Sequence, residues 1–340
     1  MKKTSINLDL YEGRGIPISK RNQQLPACQW ISEKPETYHA SDGLRKAVNV
    51  AISLGQPLLV TGEPGTGKTQ LANSVAHELE LSLFKFHTQT TSVAKDLFYM
   101  YDTLHHFQDA RTPHDLIKEK YVTYNAFGQA ILLACSEERC QIFKEKEQIY
   151  IPEVLKQQSS RSVVLIDEID KAPRDLPNDI LNDILTMSFT VKETGKEFQA
   201  DDAFRPIIIL TSNSEKNLPE PFLRRCVFYH IDFPDKKRLK TIIENHMGQL
   251  SGFMENLLPK AMEQFQKIRD EMNLRKKPAT AECIAWLTLL EHLFDKDQSI
   301  DFNHLTPEQA DILSLSYSVI AKCKEDHDRL TLEFPETSVS

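Results

Sequence analysis

The most constraining feature of this chain is the run PLLVTGEPGTGKT at residues 57–69. A short apolar segment leads directly into GEPGTGKT, which matches the phosphate-binding pattern G-x-x-x-x-G-K-[ST]. Glycines in such a loop let the backbone approach phosphate oxygens closely, and the N–H groups that open the next helix point at the anion. Lys68 would neutralise phosphate charge, and the Thr69 hydroxyl would ligate magnesium. The sequence therefore predicts a nucleotide-binding protein.

The residues after this loop have the helical periodicity that the pattern requires. In KTQLANSVAHELEL, Leu71, Val75 and Leu79 recur at intervals of four and share one face of a helix. Both flanks of the loop therefore fit a phosphate site. The residues predicted to bind the nucleotide are Gly62, Glu63, Pro64, Gly65, Thr66, Gly67, Lys68, Thr69 and Gln70.

Length and composition are those of an ordinary globular protein. The 340 residues can form one large domain or two moderate ones. The 41 basic and 49 acidic residues give a net charge of −8, which provides no overall attraction to nucleic acid or anionic lipid. The N-terminal residues MKKTSINLDLYEGRG contain no long apolar run, so we expect a cytoplasmic protein without a membrane segment.

The cysteines and histidines show no metal-binding pattern. The six cysteines are Cys28, Cys135, Cys140, Cys226, Cys283 and Cys323. No C-x-x-C pair or Cys/His ligand spacing occurs among them, so we expect reduced, mostly buried thiols. Cys135 and Cys140 would point to different faces of a predicted helix. The adjacent His105 and His106 point apart in regular structure, and we interpret them as surface or packing residues.

Apolar strand candidates alternate with helices across residues 37–235, after a predicted helix at residues 39–54. The strand candidates are residues 57–61, 83–87, 162–167, 206–211 and 226–231. Near-continuous apolar strands that alternate with helices predict a parallel sheet covered by helices on both faces.

The rest of the chain has a different character. Residues 236–330 carry helical periodicity with almost no strand pattern, which predicts a smaller all-helical domain after the sheet. Residues 1–36 are polar and irregular and are interpreted as an N-terminal arm. Residues 331–340 are predicted to be a frayed C-terminal tail.

Two carboxylates, Asp167 and Glu168, end the third strand candidate directly after Val-Val-Leu-Ile. Ligands of open parallel sheets bind at the carboxyl edge of the strands. We therefore expect Asp167 to hold the hydration shell of magnesium and Glu168 to orient or activate the water that attacks the terminal phosphate. Acidic strand ends usually cap the next helix, but the phosphate-binding loop upstream favours the catalytic interpretation.

Further polar residues follow the fourth strand candidate, which ends in Thr-Ser-Asn. Asn213 should lie beside Glu168 at the neighbouring strand edge and hydrogen-bond the same water; the alternative is an asparagine that only begins a turn. In LPEPFLRRCVFYHI, Arg224 and Arg225 close a helical turn before the fifth strand candidate. Surface arginines usually contact only solvent.

In this order and spacing, GEPGTGKT, VVLIDEIDKA, LTSN and EPFLRRC resemble the motifs of AAA+ ATPases. The opening YHASDGLRKAVNVAISLGQPLLVTGEPGTGKT is similar to the entry of the MoxR-type branch, and the resemblance covers residues 38–295. It implies a P-loop NTPase α/β domain with a helical lid domain that binds ATP and Mg²⁺.

The resemblance also implies roles for individual residues. Lys68 and Thr69 match the Walker A pair, Asp167 and Glu168 match the Walker B pair, and Asn213 matches the sensor-1 residue. The predicted catalytic residues are Lys68, Glu168, Asn213 and Arg225, and the predicted magnesium ligands are Thr69 and Asp167.

Arg225 matches the arginine finger, which reaches the γ-phosphate of the neighbouring subunit. In the MoxR-type branch this arginine commonly follows an aspartate, whereas here it follows Arg224 and precedes Cys226, more like the Ser-Arg-Cys of clamp loaders. Which of the two arginines acts as the finger stays open at this point.

A second departure lies in the helical domain, in the segment RKKPATAECIAWL. The family often has a sensor-2 arginine just after a proline, but Pro278 is followed by Ala279 and Thr280. Lys276 or Lys277 would be the substitute, although an ammonium cannot reproduce the bidentate grip of a guanidinium on phosphate. Closure of the lid on ATP is the function that this departure affects.

Two insertions give the chain its specialisation. Residues 91–128 lie where the MoxR-type branch has an insert in its second helix, and residues 188–205 form a predicted hairpin around Glu-Thr-Gly-Lys at 193–196. The resemblance implies that these loops face a central pore and contact clients. The alternative is a pair of plain surface loops.

The resemblance thus implies an ATPase that assembles as a homo-oligomeric ring, most often a hexamer, and remodels or activates a partner protein complex. MoxR-like proteins frequently act with proteins that carry a von Willebrand A domain. One alternative is a nucleic-acid motor, the GTP- or ATP-driven translocase subunit of a restriction-type system, which the acidic net charge disfavours. The other is a non-catalytic assembly switch, which the presence of Glu168, Asn213 and Arg225 disfavours.

Overall fold

The computed structural model describes residues 35–110, 117–135, 159–213, 217–247, 252–294, 300–302 and 304–333. These residues form two compact units. One spans residues 38–232, and the other combines residues from 233 onward with the short turn Pro35–Thr37. Most of the predicted N-terminal arm and C-terminal tail lie outside the described residues, as do Cys28 and Cys140.

The first unit is built on a five-stranded parallel sheet, which confirms the predicted fold class. In spatial order the strands are β2 (Ser82–His87), β5 (Ser162–Asp167), β8 (Ile207–Ser212), β1 (Leu58–Gly62) and β9 (Val227–Ile231). Their bounds differ from the predicted ones by at most one residue. This order places the end of β8 between the ends of β5 and β1.

Helices cover both faces of this sheet. The described helices of the first unit are α1 (Asp42–Leu54), α2 (Lys68–Glu78), α3 (Thr103–Asp109), α4 (Ala126–Leu133), α5 (Leu176–Asp179), α6 (Leu181–Thr186) and α7 (Glu220–Leu223). In β5, Val163 and Leu165 share a core with α1 and α2, whereas Val164 and Ile166 share a core with α4 and α5. Since successive side chains of a strand point to opposite faces, a continuous apolar strand feeds both cores.

Helix α1 begins later than the residue 39 that the sequence predicted. Ser41 has an extended backbone, and its hydroxyl accepts a hydrogen bond from the Leu44 N–H at 3.2 Å. A serine in this position satisfies an N–H group that has no partner within the helix, so the helix starts at Asp42. Gly55 ends it in the left-handed conformation, with φ of 63°.

The two insertions contain short antiparallel pairs that pack together. The first pairs β3 (Tyr99–Tyr101) with β4 (Val122–Tyr124), and the second pairs β6 (Ser188–Val191) with β7 (Lys196–Gln199) as a hairpin. Near the hairpin turn, Glu193 accepts from Lys95 Nζ and the Tyr99 hydroxyl, each at 2.9 Å. Lys196 forms a half-buried ion pair with Glu119 at 3.2 Å. These contacts tie the hairpin to the first insertion.

The second unit is helical. Its helices are α8 (Lys236–Met247), α9 (Gly252–Asp270), α10 (Thr280–Leu293), α11 (Pro307–Ile320) and α12 (Lys324–Glu333). Trp286 and Tyr317 are buried in its core, and Trp286 Nε1 donates to Ser316 Oγ at 2.8 Å. Helix α12 continues to Glu333, past the predicted start of the tail. Among the described helices of both units, none has the length and apolar character needed to cross a membrane.

Candidate nucleotide site

The phosphate-binding loop joins β1 to α2 at the carboxyl edge of the sheet. Gly67 immediately precedes α2 with φ of 88°, a backbone conformation that favours glycine. A Cβ atom added to Gly62 would lie 2.6 Å from the carbonyl oxygen of Ile231 on the neighbouring strand. The loop therefore depends on glycine at both positions, one for its turn and one for close packing against β9.

Lys68 is buried at the start of α2. Its Nζ donates to the carbonyl oxygens of Gly62 and Glu63, each at 2.8 Å. Burial lowers the pKa of Lys68, and the nearby carboxylates, of which Asp167 has the largest effect, oppose this shift. The ammonium group is thus held inside the loop, where an anion can offset its desolvation.

Asp167 ends β5 as a buried carboxylate that faces the start of α2. Thr69 Oγ1 donates to its Oδ1 at 3.0 Å, which joins the two predicted magnesium ligands. Mg²⁺ prefers oxygen ligands and usually keeps several waters, so one hydroxyl and one carboxylate beside a phosphate loop fit its coordination. The donor set therefore suits Mg²⁺, with Thr69 and Asp167 as the residues that would hold it.

Glu168 and Asn213 meet at the same sheet edge. Asn213 Nδ2 donates to Glu168 Oε1 at 3.1 Å, while the other carboxylate oxygen, Oε2, accepts from Lys171 Nζ at 2.5 Å. Asn213 is itself positioned through its backbone N–H, which donates to the buried Asp170 at 3.2 Å. The structure thus brings together the predicted water-handling carboxylate and the predicted sensor amide.

Three residues around these acids were missed by the sequence analysis. Thr211 donates to Asp167 Oδ1 at 2.5 Å, Lys171 pairs with Glu168, and His87 Nδ1 lies 3.3 Å from Asp167 Oδ2. His87 ends β2, directly opposite Asp167 in the strand register. For His87 and Thr211 the available signal was a polar residue at a strand end, but the order of strands in the sheet was needed to place them beside Asp167. Lys171 lies three residues after Glu168, in the turn that follows β5.

Arg224 and Arg225 follow α7 and precede β9, at an exposed corner of the first unit. Arg224 pairs with Glu220 of the same helix, with Nε–Oε1 at 3.1 Å. Arg225 donates through Nη1 to the Pro221 carbonyl oxygen at 3.3 Å. Within the residues that the structure describes, Arg225 has no hydrogen bond or ion pair with the other predicted site residues. Its guanidinium remains available at the surface.

The segment around Pro278 is fixed within the helical unit. Arg269 is buried there, stacks on Phe233 with its guanidinium carbon 3.7 Å from the ring centroid, and donates to the Pro278 carbonyl oxygen at 2.6 Å. Buried Asp326 accepts the backbone N–H of Lys276 at 3.1 Å. Arg269 is therefore committed to packing, whereas the side chains of Lys276 and Lys277 are exposed.

The chain matches a known protein family. A family model described as the ATPase family associated with various cellular activities (AAA) matches residues 58–235. No curated protein sequence matches the chain. Among solved structures, the RuvB Holliday junction branch migration motor of Thermotoga maritima aligns with 15% identity and a TM-score of 0.42, covering 82% of this chain and 69% of that chain.

A mutant of the same Thermotoga maritima protein aligns with 14% identity and a TM-score of 0.44, covering 84% of this chain and 72% of that chain.

Proposed function

Because the chain belongs to the AAA family of ATPases, we propose that it hydrolyses ATP with Mg²⁺ and uses the reaction to remodel a partner protein. The single observation that carries the hydrolytic part is the hydrogen bond between Asn213 Nδ2 and Glu168 Oε1. A carboxylate fixed by an amide, next to the acid that contacts the phosphate-binding loop, is the arrangement expected of a group that orients water. A protein that only bound nucleotide would not need this pair.

Each residue of the site has a distinct task in this proposal. The loop N–H groups and Lys68 bind the phosphates, and Thr69 and Asp167 hold the metal ion. Bound Mg²⁺ would offset phosphate charge during phosphoryl transfer. Glu168 accepts a proton from water as the water oxygen bonds to the γ-phosphorus and the bond to ADP breaks. Asn213 keeps the Glu168 carboxylate in position.

We assign the arginine finger to Arg225 rather than Arg224. Arg224 is already paired with Glu220, whereas Arg225 is exposed and, among the described residues, donates only to the Pro221 carbonyl oxygen. An arginine that stabilises transition-state charge in a neighbouring subunit has to extend away from its own chain, and Arg225 can do so without giving up an ion pair. This assignment requires a homo-oligomeric ring, for which we propose the hexamer of the MoxR-type branch.

We further propose that the first insertion contacts the partner protein. The hairpin charges Glu193 and Lys196 are paired within the chain, so they are less suited to bind a client. By contrast, Met100 and Leu104 expose 59% and 67% of their surface on β3 and α3. Both residues belong to one short stretch of the chain, and exposed large apolar side chains are typical of protein contacts when they form a patch. A von Willebrand A domain protein is the partner class that we propose.

The test compares ATP hydrolysis by the wild-type chain and Glu168→Gln, followed by affinity capture. We expect Glu168→Gln to bind ATP without turnover and to retain a von Willebrand A domain protein with ATP but not with ADP. Leu104→Asp should keep basal hydrolysis within about twofold yet lose this capture, because the contact with the partner would bury an unpaired carboxylate. Leu332→Asp, also exposed but on α12, is the matched control.

Other outcomes would favour the alternative functions. Hydrolysis that is stimulated by DNA with a steep salt dependence, or turnover of GTP in preference to ATP, would indicate a nucleic-acid motor. ATP binding without turnover by the wild-type chain would indicate an assembly switch. Hydrolysis by Glu168→Gln at the wild-type rate would show that Glu168 does not handle water.

A further inference from the structure

The hydroxyl of Thr211 lies between the two acids of the candidate site. Thr211 is fully buried in β8, next to the end of β5. Its Oγ1 accepts a hydrogen bond from the Glu168 backbone N–H at 2.8 Å and donates to Asp167 Oδ1 at 2.5 Å. A hydroxyl has a single proton, and the N–H group can only donate, so the proton is directed at the Asp167 carboxylate.

Glu168 needs this contact because its backbone is unusual. Its φ and ψ angles are 56° and 50°, in the left-handed region of backbone conformation that residues other than glycine rarely adopt. The last described pairing of β5 with β8 joins Ile166 to Leu210, so the Glu168 N–H lies beyond it. The Thr211 hydroxyl therefore accepts the hydrogen bond of the Glu168 N–H in place of a backbone carbonyl of β8.

The left-handed turn separates the tasks of the two acids. Asp167 lies against Thr69 of the phosphate loop, whereas the Glu168 carboxylate is held by Asn213 and Lys171. One hydroxyl therefore fixes the side chain of the first acid and the backbone of the second. Thr211 is too deeply buried to touch a ligand itself.

We infer that Thr211 is a positioning residue: its one hydroxyl holds both the metal-binding carboxylate of Asp167 and the backbone of the water-handling Glu168 in place. This inference rests on the proposed ATP hydrolysis. Removing the hydroxyl would leave Asp167 without its shortest hydrogen bond and the Glu168 N–H without its acceptor. Both magnesium binding and turnover should then weaken, while the phosphate loop, to which Thr211 makes no hydrogen bond among the described residues, keeps its affinity for nucleotide.

The test uses Thr211→Val, which keeps the shape of the side chain, and Thr211→Ser, which keeps the hydroxyl. We expect Thr211→Val to lower kcat about 10- to 100-fold, the effect of losing a hydrogen bond to a charged group, and Thr211→Ser to stay within about threefold of wild type. Thr88→Val is the matched control, because Thr88 is a buried threonine near the same edge whose hydroxyl has no partner among the described residues.

A binding measurement separates positioning from general damage. Calorimetry with ATPγS should give wild-type affinity for Thr211→Val in EDTA, whereas the gain in affinity on adding Mg²⁺ should be lost for Thr211→Val and kept for Thr211→Ser. If Thr211→Val does not fold, Thr211→Ser is compared with Thr211→Cys, which exchanges the oxygen for a weakly hydrogen-bonding sulfur.

The outcomes are distinct. Wild-type kcat and a wild-type Mg²⁺ effect in Thr211→Val would overturn the inference, as would equal values for the serine and cysteine variants. A serine variant as impaired as the valine variant would show that keeping the hydroxyl does not keep turnover, which would also overturn the inference. Absence of hydrolysis by the wild-type chain would instead reject the proposed function on which the inference rests.

Discussion

The carboxyl edge of β5 and β8 differs from the corner between α7 and β9 in how its polar groups are satisfied. At the edge, Asp167, Glu168 and Asn213 are connected by hydrogen bonds within one chain. At the corner, Arg224 is paired with Glu220, but the hydrogen bond that Arg225 makes within the described part of the chain goes to a backbone carbonyl oxygen. The polar groups at the edge are hydrogen-bonded to one another within the chain, whereas the exposed guanidinium of Arg225 at the corner is accessible to a neighbouring molecule.

This difference separates two kinds of contribution to catalysis. Groups that bind metal or orient water have to be held within tenths of an ångström, which a network inside one rigid sheet can do. A group that only adds positive charge late in the reaction can come from another molecule. The comparison therefore predicts that defects at the edge act within one subunit and that defects at the corner can be repaired by a neighbour.

The largest expected effect is that of Arg225→Ala. Loss of a finger supplied by a neighbour should lower kcat roughly 10³- to 10⁵-fold while ATP binding is kept. Mixing Arg225→Ala with Lys68→Ala subunits should restore part of the hydrolysis, because the second variant brings an intact arginine to the intact pocket of the first. Failure to recover in mixtures shown to co-assemble would assign the finger to Arg224 or place Arg225 within its own site.

Asn213→Ala tests the other side of the comparison, with a smaller effect. Losing the donor to the Glu168 carboxylate should lower kcat about 10- to 100-fold with little change in KM, since the phosphate loop is untouched. Mixed with Lys68→Ala subunits, it should recover nothing, because both changes damage the pocket. Recovery in this mixture would mean that the strand edge also serves a neighbouring site.

The sequence could predict those parts of the site whose residues are close together in the chain, but not contacts between residues that are far apart in the chain. The strands were predicted because apolar runs alternate with helices, and the loop and acids because their spacing is local. The role of Thr211 could not be predicted, since a threonine in an apolar run is also an ordinary strand former. Its contact with Asp167 depends on β8 lying beside β5, which no local pattern encodes.

Contacts between the two insertions could not be predicted from the sequence for the same reason. Lys95 and Glu193 are 98 residues apart in the chain, so nothing in either segment indicates that they pair. The pairing of Glu220 with Arg224 was accessible, because residues four apart on a helix are neighbours. This spacing favours an Arg224–Glu220 pair and so bears on the choice between the two arginines.

Arg224→Ala is the smallest expected effect and the sharpest control for Arg225→Ala. The Arg224 and Glu220 side chains are 75% and 72% exposed, and exposed ion pairs contribute about 0–1 kcal/mol to stability. We therefore expect the variant to keep kcat within about threefold of wild type and to melt at nearly the same temperature. Both should be measured in the same assays as Arg225→Ala, because the two residues share the same exposed corner. A loss of turnover as large as that of Arg225→Ala, with assembly unchanged, would mean that Arg224 leaves Glu220 to act in the neighbouring site. The ion pair of Arg224 with Glu220 would then not distinguish its role from that of Arg225.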